Sequence, residues 1–169
     1  MSASLLLVLS LAVSACLLGC AAGPSAHTGD GPAEAADAER ETALILGVLN
    51  AETRAALGRD YRAWREHWVH EPYVVKTYTN AADGTSSVML GWAAVDDFVR
   101  SYIEDHPTPE PPPEPLTSAD VQIYGDVAWV TYEQDDADQG LKRESRRLEL
   151  AGGVWRIAGM HTTILDASG

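Results

Sequence analysis

The chain has 169 residues, with 25 Asp and Glu against 12 Lys and Arg, a formal net charge of −13. That balance argues against nucleic acid as a partner, because no basic stripe is present to displace counterions from phosphates. It also argues against adsorption to an anionic lipid surface, and serves solubility.

The chain opens on an unbroken run of apolar and small residues from Leu5 to Leu18, followed by Gly19-Cys20. Such a run is too short for a bilayer-spanning helix, which needs ~20 residues. It suits the apolar core of a secretory signal, which needs ~7–15. A cysteine closing that core after a small residue looks like a bacterial lipobox, with Cys20 the lipidated residue and new N-terminus. Val13-Ser14-Ala15-Cys16 is a second candidate box, and Met1-Ser2-Ala3-Ser4 supplies no Lys or Arg. Cys20 leaves the longer apolar core. Ala21 after it, rather than an acid, leans by the habit of such signals towards the outer membrane. Cys16 and Cys20 are the only cysteines, so disulfide and thiolate chemistry are excluded from everything downstream.

Residues 21–38 are mostly Ala, Gly, Pro, Ser and acid without a bulky apolar side chain. They cannot bury enough surface to offset ordering entropy, and are expected to form a flexible tether. Residues 1–19 are thus a signal, 20–38 a tether and 39–166 one domain with a single core. The expected location is the cell envelope, with the lipid as membrane contact.

Within the domain, residues 39–57 are expected to form a helix with an apolar stripe of Leu44, Ile45, Val48, Leu49, Ala55, Ala56 and Leu57, stopped by Gly58. A second short helix opens at Arg59-Asp60. Tyr61, Trp64, Arg65 and Trp68 give it an aromatic face, and Pro72 ends it. Residues 73–79 and 85–92 are expected strands around the turn Asn80-Ala81-Ala82-Asp83-Gly84. Val95, Phe98, Val99, Tyr102 and Ile103 fit a third helix. Six prolines in the nine residues 107–115 forbid helix and ladder alike, and are expected to make a stiff connector of extended polyproline geometry. Residues 119–124, 127–134, 141–151 and 154–164 are then strands, with hairpin signals at Gly125-Asp126 and Gly152-Gly153. Helices followed by a meander of strands specify an α+β fold rather than alternating βαβ units.

The phrases Asp60-Tyr61-Arg62-Ala63-Trp64, Gly91-Trp92, Gly125-Asp126-Val127-Ala128-Trp129-Val130 and Val154-Trp155-Arg156-Ile157 leading to His161, in this order, resemble a known family. The chain is similar, over residues ~40–165, to the SnoaL-like, ketosteroid-isomerase-like α+β cone of the nuclear-transport-factor-2-like superfamily. The resemblance implies N-terminal helices packed in a strongly curved, mixed or antiparallel sheet, as in cystatin-like folds, with a central pocket. Members often dimerise through the outer sheet face, so a homodimer is an expected partner. The fold hosts enzymes and binding modules alike, so it does not assign function.

The resemblance places the catalytic tyrosine of the steroid isomerases near Glu52 and their aspartate near Lys76, so neither matches. Those isomerases carry a second, protonated acid on a later strand, and the strand at 141–151 offers Arg143, Arg146 and Arg147 around Glu144 and Glu149, with no clear substitute for it. A buried Glu52 and Lys76 would have to pair; a surface position for both is the alternative and the favoured one. Strand parity sets Trp155, Ile157 and His161 on one face opposite Arg156, hence inward. His161 is either a hydrogen-bonded core histidine or a pocket acid/base. The expected pocket lining is Glu52, Trp64, Trp68, Lys76, Tyr78, Trp92, Trp155, Ile157 and His161. His67, His70 and Glu71 invite a metal, but Pro72 interrupts their helix and no zinc-protease spacing is present, so they are taken as the polar end of the second helix. No cofactor is expected. The function expected is binding of a small apolar or aromatic molecule, or of a partner, without turnover. The rivals are an isomerase-, dehydratase- or cyclase-type enzyme using His161, and a structural dimer module of the envelope.

Overall fold

The structure is a computed structural model and describes residues 31–136 and 140–165. The signal, both cysteines, the tether up to residue 30, the middle of the turn at 135–140 and residue 166 lie outside the described residues.

Helix α1 spans Pro32–Leu57, so it starts inside the segment expected to be a tether. The reason is local. Pro32 takes the first helical position, where its missing N–H is no loss, Glu34 lies in the first turn, and the alanines that follow are the best helix formers. Ile45, Leu49, Glu52 and Ala55 form its buried stripe. The helix ends where Gly58 is expected to stop it, with Gly58 as its C-cap in right-handed geometry and the left-handed position on Arg59 at φ 62°.

Helix α2 (Tyr61–Glu66) is capped by Asp60, whose Oδ1 accepts from Ala63 N–H at 3.0 Å. It ends sooner than the aromatic spacing predicts. The chain straightens at Trp68, which bridges to Ile157 of the last strand: Ile157 N–H donates to His67 O and Val69 N–H to Ile157 O, each at 2.8 Å. The remaining elements are β1 (Val75–Asn80), β2 (Ser86–Leu90), α3 (Trp92–Asp105), β3 (Asp120–Tyr124), β4 (Val127–Asp136), β5 (Gly140–Ala151) and β6 (Val154–Ile164). Gly91, at φ 83° with Pro72 O 3.3 Å from where a Cβ would sit, is a position only glycine fills without strain, and it delivers Trp92 into the start of α3.

The six strands form one curved sheet in the order β2-β1-β6-β5-β4-β3, an α+β arrangement with helices against the concave face. β1 and β6 are parallel, and every other pair is antiparallel. Leu148 faces Ile157 while Arg147 faces Gly159, so Ala158 is an extra residue in β6 and makes a bulge. Before the bulge Trp155 and Ile157 are buried. After it the buried side chains are Met160 and Thr162, and His161 is exposed.

The proline-rich connector between α3 and β3 is fastened along α1. Glu110 N–H donates to Leu57 O at 3.0 Å, Arg59 Nε donates to Thr108 O at 3.2 Å, and Asn50 exchanges two hydrogen bonds with the backbone of Leu116. A cleft of about 230 Å³ remains between α1 and Pro112–Leu116. Among the described residues no helix is long and apolar enough to cross a membrane.

Candidate functional site

Strand registers fix what meets on the concave face. One row runs Met89, Lys76, Met160, Arg146, Val130, Val121 across β2, β1, β6, β5, β4 and β3. The next runs Tyr78, Thr162, Glu144, Tyr132. Ionisable groups from these rows meet α1 and α2 at the centre of the molecule.

Glu52 reaches this centre from α1. Its Oε1 accepts from Trp64 Nε1 at 2.8 Å and from Trp68 Nε1 at 3.1 Å, and its Oε2 accepts from Arg146 Nη1 at 3.4 Å. Arg146 Nε donates to Glu144 Oε2 at 3.1 Å, and Thr162 Oγ1 donates to Glu144 Oε1 at 2.9 Å. Lys76 Nζ donates to Met160 Sδ at 2.9 Å and lies 5.3 Å from the ring centres of both Trp68 and Tyr78. Two acids and two bases therefore cancel.

The surface position favoured for Glu52 and Lys76 is corrected here. Glu52 is 2% exposed, Lys76 4%, Arg146 3% and Glu144 5%. These groups are packed against one another and the tryptophans, so the centre of the cone is occupied by the chain's own side chains rather than open around them. Burial raises the Glu52 carboxyl, but Arg146, Lys76 and the two indole N–H groups outweigh it and hold it below its ordinary value. Burial pushes the Tyr132 hydroxyl up to about 12, with Glu144 and Glu52 adding to the rise against Arg146. Burial opposes the Arg146 charge, yet Tyr132, Glu144 and Glu52 hold the guanidinium above its ordinary range.

Of the expected lining, Glu52, Trp64, Trp68 and Lys76 are brought into direct contact, and Trp92 stacks on Trp64 at 5.8 Å. Tyr78 is half-buried and tilts against Phe98 at 5.9 Å. Trp155 and Ile157 are core residues, and Trp155 Nε1 donates to Glu41 Oε2 at 2.7 Å. His161 is the correction: it stands on the convex face, its Nε2 3.1 Å from Thr79 Oγ1, because the bulge at Ala158 inverts the alternation on which its inward position rested. His67 caps α2, and His70 stacks on Trp92 at 4.1 Å with Nε2 2.8 Å from Arg65 O. Among the described residues no three His, Cys, Asp or Glu are grouped to hold a metal ion.

Arg146, Glu144, Thr162 and Tyr132 were missed as site residues. A signal for two of them was present. Glu144 and Arg146 share parity with Leu148, whose apolar side chain marks that face of β5 as inward.

A second feature lies outside Trp68. The 66–71 segment and the β5–β6 turn bound a shallow, open concavity of about 600 Å³, lined by Glu66, His67, Trp68, Val69, His70, Glu71, Val154 and Arg156. This is within the range of small-molecule sites.

A family model described as a SnoaL-like domain matches residues 45–167. No curated protein matches the chain. Among solved structures, the chain is similar to an NTF-2 like protein of unknown function from Silicibacter pomeroyi, at 18% identity and a TM-score of 0.54, covering 74% of this chain and 96% of that one. It is similar to a cystatin-like fold protein from Burkholderia xenovorans, at 23% identity and a TM-score of 0.54, covering 72% and 89%. It is also similar to a protein of unknown function from Mycobacterium tuberculosis, at 17% identity and a TM-score of 0.55, covering 78% and 75%. At these identities the likeness carries the fold alone.

Proposed function

This chain belongs to the SnoaL-like domain family, and we propose that it is a binding module without turnover, taking a small molecule with an apolar or aromatic body in the concavity outside Trp68. The observation that carries this reading is the concavity itself, of about 600 Å³, set beside a cone centre closed by paired side chains. Val154, 51% exposed, offers the accessible apolar wall in front of the buried Trp68 and Val69, and Arg156, His67, His70, Glu66 and Glu71 offer polar contacts to orient a ligand. At the centre of the cone the proton carriers support a reading without turnover. An acid/base catalyst works best with a pKa near the working pH. Glu52 is held below its ordinary range and Tyr132 up to about 12, so neither exchanges a proton near neutrality.

The test uses anilinonaphthalene sulfonate, which has an aromatic body and one anionic group. The wild-type protein should bind it saturably with one site. Val154→Trp, filling the concavity, should weaken binding at least about tenfold, roughly 1.4 kcal/mol, with an unchanged circular dichroism spectrum. Absence of saturable binding by the wild type, or equal binding by the variant, would overturn the reading.

The same reading puts the domain outside the cytoplasm, held to the envelope by a lipid on Cys20. Its support is the apolar run of Leu5 to Leu18 closed by Gly19-Cys20. Cys20→Ser should move the protein from the detergent phase to the aqueous phase in a cloud-point partition, and retention in detergent counts against it.

A second reading, a homodimer, is favoured by the convex face. Val88 is 55% exposed, Leu90 73%, Trp129 48% and Tyr124 67%, and these lie near opposite edges of one sheet face. A two-fold axis along the strands brings the β2 edge of one copy onto the β3–β4 edge of the other.

A further inference from the structure

We infer that Trp64, Trp68, Lys76 and Arg146 form a receptor for a small carboxylate, which the chain fills from within using Glu52. Three donors, Trp64, Trp68 and Arg146, and the Lys76 charge come from α2, the segment after it, β5 and β1, while the carboxylate comes from α1. They are held independently of Glu52. Trp64 is stacked between Tyr61 and Trp92, Trp68 is fixed by the bridge at Ile157, and Arg146 is paired to Glu144. Both indole N–H groups aim at one oxygen of Glu52, at 2.8 and 3.1 Å. Buried indole N–H groups need an acceptor, and here they share a single anionic one.

Charge says the same. Without Glu52 the cradle holds Lys76 and Arg146 against Glu144 alone, an excess of one positive charge out of water. Lys76 adds to the demand, since among the described residues the one hydrogen-bond acceptor of its ammonium is the Met160 thioether, and its other close neighbours are ring faces. A thioether is a weak acceptor. The positive charge is answered through space by the Glu52 carboxylate.

Chemistry specifies the size of the receptor. Replacing Glu52 with Ala removes one methylene and the carboxylate, the heavy atoms of acetate, and leaves every donor in place. The class of ligand is therefore a monocarboxylate of about that size. Formate leaves space that the cradle does not fill, and longer acids exceed the volume that a close-packed core leaves around the two tryptophans. In the intact protein the receptor is closed to anions in solution. This inference is independent of the concavity outside Trp68.

The experiment compares thermal unfolding of wild type, Glu52→Ala and Glu52→Gln in sodium acetate and in sodium chloride of equal ionic strength at neutral pH. Acetate should raise the midpoint of Glu52→Ala logarithmically with its concentration, by roughly 4 °C or more once it exceeds its dissociation constant about tenfold, above any effect of chloride. Acetate should exceed formate and butyrate. Wild type and Glu52→Gln, whose side chains occupy the cradle, should show no acetate-specific gain. Equal responses to acetate and chloride, or an equal gain in Glu52→Gln, would overturn the inference. Should Glu52→Ala be unfolded in chloride, acetate should refold it, read by far-UV circular dichroism. Failure to refold at any acetate concentration is equally decisive against it.

Discussion

Arg59 and Glu110, 51 positions apart, form an ion pair that fastens the proline-rich connector to the end of α1. The same guanidinium donates to Thr108 O and Ala56 O and lies 5.1 Å over the Tyr102 ring. Its backbone holds a left-handed conformation that costs a non-glycine residue roughly 1–2 kcal/mol. The side-chain contacts are what offset that strain.

Two substitutions separate those terms. Arg59→Ala should keep the strain and lose the contacts, lowering stability by about 1–2 kcal/mol, since Glu110 is partly exposed and its ion pair is screened. Arg59→Gly should lie closer to wild type. In Arg59→Ala, amide exchange at Glu110 and Leu116, which donate to Leu57 O and Asn50 Oδ1, should accelerate while β5 and β6 stay protected. Uniform acceleration across the sheet would show that the connector is not a separate unit.

Glu52→Gln tests the central pairing. Removing one charge from a buried network leaves the others uncompensated and should cost about 3–5 kcal/mol in urea unfolding at pH 7. A cost below ~1 kcal/mol would mean that water reaches Lys76 and Arg146.

The pH dependence has two limbs with opposite signs. The folded-state pKa of Glu52 lies below its ordinary 4.5. Its stabilisation is thus complete above 4.5 and declines as pH falls, because the unfolded chain takes up the proton first. Asp96 contributes with the same sign: burial raises it, but the bond from Tyr61 at 2.5 Å and the pairing with Arg100 outweigh that. Tyr132 is raised from 10.0 to about 12, so its contribution is intact below 10 and lost as pH rises towards 12. Urea midpoints across pH should show both limbs. Glu52→Gln should flatten the acid one and Tyr132→Phe the alkaline one. An unchanged acid limb in Glu52→Gln would contradict the assignment.

On the convex face, His161→Ala should change stability by less than ~0.5 kcal/mol and leave ligand binding untouched, since the residue is exposed and its partner is Thr79. Leu90→Asp combined with Trp129→Asp should convert a dimer to a monomer in sedimentation velocity without altering the fold. A wild-type protein that sediments as a monomer at high concentration would remove the basis for the homodimer.

Much of this architecture was legible in the residues. Gly125 and Gly152, both at positive φ, sit where the hairpin signals fell. The strands of the C-terminal third match their predicted limits to within two residues. His161 was misplaced because one extra residue at Ala158 shifts the alternation, and a bulge has no signature in periodicity alone. Glu52 was judged a surface residue because its partners lie 12, 16 and 94 positions away, a proximity that only the closed fold creates. Pro32 to Ala38 resembled a linker by composition, yet alanine also favours helix when a folded helix continues it.

The parallel pairing of β1 with β6 carries a consequence for biosynthesis. β1 and its neighbour β2 join the body of the sheet through β6 alone, across 84 positions at Lys76 and Met160. A nascent chain therefore cannot join β1 and β2 to the rest of the sheet until β6 has left the ribosome tunnel.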